Sequence, residues 1–117
     1  MPFAWADYLT LAATLAARTG DEASLRSAIS RAYYAAYNSA VEKAAAHGVS
    51  IVRVTGTGPH EACWMAYQTV PAVIRVGVTG DRLKVLRHKA DYRQVTLNWA
   101  KEAATAVAEA QALISGL

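Results

Sequence analysis

The segment Ser30-Arg31-Ala32-Tyr33-Tyr34-Ala35-Ala36-Tyr37-Asn38 constrains this chain more than any other. It sets three tyrosines and an arginine on a helix otherwise paved with alanine. Alanine brings a helix backbone close to its neighbours, so little side-chain volume separates it from what it packs on. Polar groups caught in so tight a seam must find partners there. The segment is therefore expected to hold a polar network or a site as well as core.

Asp21 is a good N-cap for the helix that carries it, and Gly48 a natural stop, so the spacing predicts a helix from Asp21 to about His47. Leu25, Ile29, Ala32, Ala36 and Ala40 form one stripe. Arg26, Ser30, Tyr33, Tyr37 and Val41 form a second, and Ser27, Arg31, Tyr34 and Asn38 a polar third. Two packing stripes and a polar one suit the central helix of a bundle, the polar stripe facing a cleft or a subunit interface.

Elsewhere the pattern is also helical. Phe3, Tyr8, Leu11, Ala12 and Leu15 predict a first helix from about Pro2 to Arg18, closed by Thr19-Gly20. Residues 49–58 read as an extended loop or short strand, and Pro59 opens a short helix through Trp64 and Tyr67. Residues 69–78, interrupted by Pro71, leave a β segment at 72–78 and a helix both open, with helix or irregular structure favoured. A further helix is predicted from Thr79-Gly80-Asp81 to about Asp91, with Leu83, Leu86 and Ala90 inward and the basic residues outward. Thr96 is the expected N-cap of a last helix reaching Ser115, with Leu97, Ala100, Ala103, Ala104, Val107 and Ile114 along its apolar side. The expected fold is a single all-α domain over 1–117, an up-and-down bundle of four to five helices, with short extended segments at 49–55 and 72–78 as the alternative.

With 117 residues, 54% hydrophobic and 18% charged, the chain is large enough for one core and too apolar for disorder. Its one cysteine, Cys63, excludes an internal disulfide and fits a reducing cytoplasm. No basic run precedes the first apolar stretch, which Asp7 interrupts, so a secretory signal is not expected, nor is a membrane span.

Charge is unevenly spread. Arg82, Lys84, Arg87, Lys89 and Arg93 face Asp91 alone in one short segment, and this excess outweighs the net charge of +3 on the whole chain. Such a segment attracts phosphate, RNA or an acidic partner, or is simply a solvated helix face. The chain has no phosphate-binding P-loop, no zinc-ligand spacing and no nucleophile elbow, so no metal or cofactor is expected. Gly56-Thr57-Gly58 reads as a turn before a short helix, and Cys63 beside Trp64 as a core residue rather than a nucleophile.

Two segments together carry a resemblance. Ser30-Arg31-Ala32-Tyr33-Tyr34-Ala35-Ala36-Tyr37 resembles the second-helix signature of HEPN domains. Leu86-Arg87-His88-Lys89-Ala90-Asp91-Tyr92 resembles the element before their last helix, and His60 after a glycine-rich turn fits their third. The likeness runs from about Leu9 to Leu113 and is nearest to small stand-alone bacterial and archaeal HEPN proteins. It implies a homodimer in a toxin–antitoxin or defence system, often with a nucleotidyltransferase partner. It also implies RNA as ligand and, in many members, metal-independent ribonuclease activity. On that pattern Arg87 and His88 are the candidate catalytic residues. Arg82, Lys84, Lys89 and Arg93 are the RNA-binding ones, with Arg31, Tyr34, Asp91 and Tyr92 as a supporting polar network. A base would activate the RNA 2′-hydroxyl while the arginine stabilises charge on the phosphate. The positions that should hold the family's histidine are Tyr92, Arg93 and Gln94, which leaves His88 or His60 as the base. The same residues also admit a non-catalytic reading, in which Arg87 pairs with Asp91 at i, i+4 or Arg31 bridges to Asp91, and the domain is an interaction module.

Overall fold

A computed structural model describes residues 3–117. The chain folds into an all-α bundle of five helices: α1 (Asp7–Ala16), α2 (Glu22–Lys43), α3 (Pro59–Gln68), α4 (Ile74–Tyr92) and α5 (Trp99–Ser115). The described residues contain no strand, so 49–58 and 72–78 are not β segments.

Helix α2 is the axis of the bundle and touches every other helix. Its start is local chemistry. The Asp21 carboxylate accepts from the Ser24 backbone N–H at 3.4 Å and from the Ser24 hydroxyl at 2.8 Å. These bonds hold its pKa below the ordinary carboxylate value. The stripe Leu25, Ile29, Ala32, Ala36 and Ala40 is buried throughout. After Lys43 the backbone tightens into a 3-10 turn over Ala45–His47, and Gly48 closes it at φ 69°, a left-handed conformation suited to glycine.

Three boundaries differ from the sequence expectation. Helix α1 begins at Asp7, whose carboxylate accepts from the Ala4 backbone N–H at 3.2 Å. Pro2 lies outside the described residues, and Phe3 is exposed rather than part of the buried stripe. Helix α5 is capped by Asn98, whose side-chain oxygen accepts from Lys101 N–H at 3.1 Å, not by Thr96. Asparagine is at least as good a cap as threonine. Leu97, ahead of that cap, is exposed, and Trp99, Ala103, Ala106, Ala110 and Leu113 make the buried stripe.

The largest correction concerns α4, which is continuous from Ile74 and does not start at Thr79-Gly80-Asp81. A 3-10 turn over Pro71–Val73 leads into it. Gly77 and Gly80 are buried inside the helix against α3. A Cβ on Gly80 would lie 2.2 Å from the Trp64 ring, and one on Gly77 would lie 2.6 Å from the Trp64 carbonyl oxygen. The glycines that look like helix punctuation are the contact where α3 crosses α4.

Candidate nucleic-acid interface

Helices α2 and α4 meet where the two sequence segments cross. Arg87, on the second turn from the end of α4, turns inward, contrary to the expectation that the basic residues face solvent. Its side chain is only 11% exposed. The guanidinium lies 5.5 Å from the ring centroids of both Tyr33 and Tyr34 and 5.7 Å from that of Tyr92. Its Nη1 is 3.5 Å from Asp91 Oδ2, the same oxygen that accepts from the Ser30 hydroxyl at 3.1 Å. The expected i, i+4 pair of Arg87 and Asp91 is present. Arg87 Nε is buried with no hydrogen-bond partner in the protein. Of the five N–H donors of a guanidinium, this Nε–H is thus sealed among the tyrosine rings rather than turned to solvent.

Behind it a hydrogen-bond relay fixes His60. The Trp64 indole N–H donates to the Tyr33 hydroxyl at 3.0 Å. Tyr33 Oη is hydrogen-bonded to His60 Nδ1 at 2.7 Å. His60 stacks on Tyr37 with centroids 4.0 Å apart. Burial, then the charges of Arg87 and Lys84, push its pKa below the ordinary histidine value. Burial likewise raises the Tyr33 phenol well above its usual range.

This sets a pH dependence. The folded pKa of His60 lies below the unfolded one, so the unfolded chain takes up the extra proton first as acid is added. The contribution to stability is present above about pH 6.5 and is lost as pH falls below it. Thermal melts between about pH 8 and 5 should show the wild type losing more stability than His60→Gln, whose amide offers Tyr33 both a donor and an acceptor but no titrating group. Equal losses in the two proteins would show that His60 does not carry the effect.

Along the outer side of α4 and the segment after it runs an open groove of about 500 Å³, lined by Lys84, Val85, Arg87, His88, Lys89, Arg93 and Val95. Its wall is cationic, imidazole or aliphatic, with no carboxylate. Five of the expected residues thus share one groove. Lys84 is partly satisfied by Asp81 at 3.2 Å, while Lys89 and Arg93 are exposed. His88 packs on Tyr92, ring centroids 5.1 Å apart. Tyr34 stands on Arg87 from the α2 side.

Two expected residues stand apart. Arg82 grips Glu109 of α5 with Nη2 at 2.8 Å and Nε at 3.2 Å, away from the groove wall. Arg31 does not bridge to Asp91. It lies 5.3 Å over the ring of Tyr8 on α1, and Ser30, one residue earlier, makes the contact to Asp91.

The sequence pattern places Arg26 only on a packing stripe, yet it also holds one end of the groove. It donates to the carbonyl oxygens of Ala90, Arg93 and Val95 and stacks on Trp99, 4.3 Å from the ring centroid. A cation near the end of one helix gives no signal of a carbonyl cluster more than sixty residues away. Cys63 is buried, and burial pushes its thiol up to about 12, which suits core rather than nucleophile. Among the described residues no three His, Cys, Asp or Glu side chains gather as a metal site requires, and no helix is long and apolar enough to cross a membrane.

Comparison of the chain with family models, curated proteins and solved structures finds no match.

Proposed function

We propose that this protein is a HEPN-like domain that binds RNA through the groove along α4. The observation that carries the reading is the groove wall: Lys84, Arg87, His88, Lys89 and Arg93 converge without a carboxylate among them. Phosphate oxygens are the natural acceptors for such a surface. The HEPN likeness is supported by the way its two segments meet, Ser30 on Asp91 and Arg87 on Tyr33 and Tyr34. A toxin–antitoxin or defence setting, a homodimer and a nucleotidyltransferase partner enter this reading through the resemblance alone, and a cytoplasmic location through the single cysteine.

The reading stops at binding. Tyr92, Arg93 and Gln94 occupy the positions where the resemblance would put a catalytic histidine. His60 Nδ1 is already engaged by the Tyr33 hydroxyl, and its ring is stacked on Tyr37.

RNA affinity should fall steeply with salt. Lys89→Ala with Arg93→Ala removes two exposed cations and leaves the packed Arg87 in place. The double variant should bind more weakly, with a log-affinity against log-salt slope shallower by roughly one to two units and an unchanged circular dichroism spectrum. Binding with the wild-type slope would remove the groove from the reading.

A further inference from the structure

We infer that Tyr92 is a nucleobase-stacking residue, so that the groove receives an unpaired nucleotide. This inference rests on the RNA-binding reading above.

Of the six tyrosines, Tyr33 and Tyr67 are buried, Tyr8, Tyr34 and Tyr37 are half-buried, and Tyr92 alone is exposed, at 67%. It is the last residue of α4, beside the groove residues His88, Lys89 and Arg93. An aromatic ring left this open adds little to the core. It is nevertheless held in place. Arg87 lies 5.7 Å from its centroid, and Arg87 is itself fixed by Asp91, Tyr33 and Tyr34. His88, one turn back, supports the ring at 5.1 Å. The arrangement is a π-surface beside a cationic track, with a guanidinium behind the ring.

That pairing fits a nucleotide in two parts. The phosphate goes to Arg87, Lys89 and Arg93, and the base lies on Tyr92. Every base has a π-face, so the contact tolerates any sequence. In a duplex those faces are covered by neighbouring base pairs, and only an unpaired base can reach the ring. Stacking on one aromatic side chain strengthens binding by about tenfold or more.

The test uses fluorescence anisotropy with three probes of roughly a dozen nucleotides: a single-stranded RNA, an abasic chain with the same number of phosphates, and the RNA duplex. The wild type should prefer the single strand to the abasic chain by about tenfold. Tyr92→Ala should lose that preference while binding the abasic chain as the wild type does, and Tyr92→Phe should keep it. Tyr92 is exposed, so both variants should melt with the wild type. Tyr92→Ala weakening both probes equally, or neither, would overturn the inference, as would wild-type binding of abasic chain or duplex as tight as that of the single strand. In that last case the RNA-binding reading stands and only the stacking role falls. If the wild type binds none of the probes, both fall together.

Discussion

Gly80→Ala is expected to lower the melting temperature by roughly 8 °C, although alanine is the better helix former. Helix propensity alone would favour the substitution by about 1 kcal/mol. Steric conflict opposes it, because the new Cβ would sit 2.2–2.4 Å from three carbons of the Trp64 ring. Trp64 has no room to withdraw. It is fully buried, its indole N–H is tied to Tyr33, and its ring packs against those of Tyr33, Tyr37 and Tyr67. Relief requires α3 and α4 to separate, an overpacking cost of about 3 kcal/mol that leaves a net loss near 2 kcal/mol. Gly77→Ala should be at least as damaging, since its Cβ would meet Trp64 O at 2.6 Å and Gln68 N at 2.9 Å, both backbone atoms. Gly20→Ala is the control, with nothing within 4 Å of its Cβ, and should stay within about 0.5 kcal/mol of the wild type. Thermal unfolding followed by circular dichroism measures all three. A Gly80→Ala protein as stable as the wild type would mean that the helices do not cross this closely.

Why α2 could be read from the sequence and the start of α4 could not follows from where each gets its stability. Asp21, the alanine period and Gly48 are local signals, and each acts within a turn or two of its own position. Residues Ile74–Gly80 contain two glycines, β-branched residues and no cap, so nothing local favours a helix there. Trp64, from another helix, fills the notch that the glycines leave, and this tertiary contact overrides propensity. The site divides the same way. Arg87 and Asp91 are four apart on one helix, and their pairing could be read directly. Arg82 and Arg87 are close in sequence, yet five residues on a helix turn a side chain by roughly 140°, which sends Arg82 to Glu109 on α5. Arg31 and Ser30 differ by one position, enough to put the arginine on α1 and the serine on Asp91. The hydrogen bonds that hold His60 run through Tyr33 and Trp64, one of them from a different helix, and no spacing rule encodes them.

The fit between α2 and the segment after α4 depends on Arg26. Arg26→Ala should cost about 2–3 kcal/mol and loosen residues 93–97. The Arg26 side chain, 20% exposed, donates through Nη1 to Arg93 O at 2.7 Å and Ala90 O at 3.3 Å, through Nη2 to Val95 O at 3.4 Å, and through Nε to Glu22 at 3.1 Å. Ala90 lies in the last turn of α4, where carbonyls have no partner within the helix. One planar fork therefore satisfies the end of α4 and ties down the segment carrying Arg93 and Val95 of the groove wall. Alanine would leave those oxygens to water and uncover one face of Trp99. Surface water can recover part of the loss, which keeps the expected cost below the sum of the separate bonds. Arg26→Lys should recover less than half of it, because an ammonium cannot spread across several carbonyls and stack on an indole at once. Amide hydrogen exchange separates this local effect from global unfolding: residues 93–97 should exchange faster in both variants while the interior of α2 stays protected. Full recovery in Arg26→Lys would assign the effect to charge rather than to the guanidinium's shape.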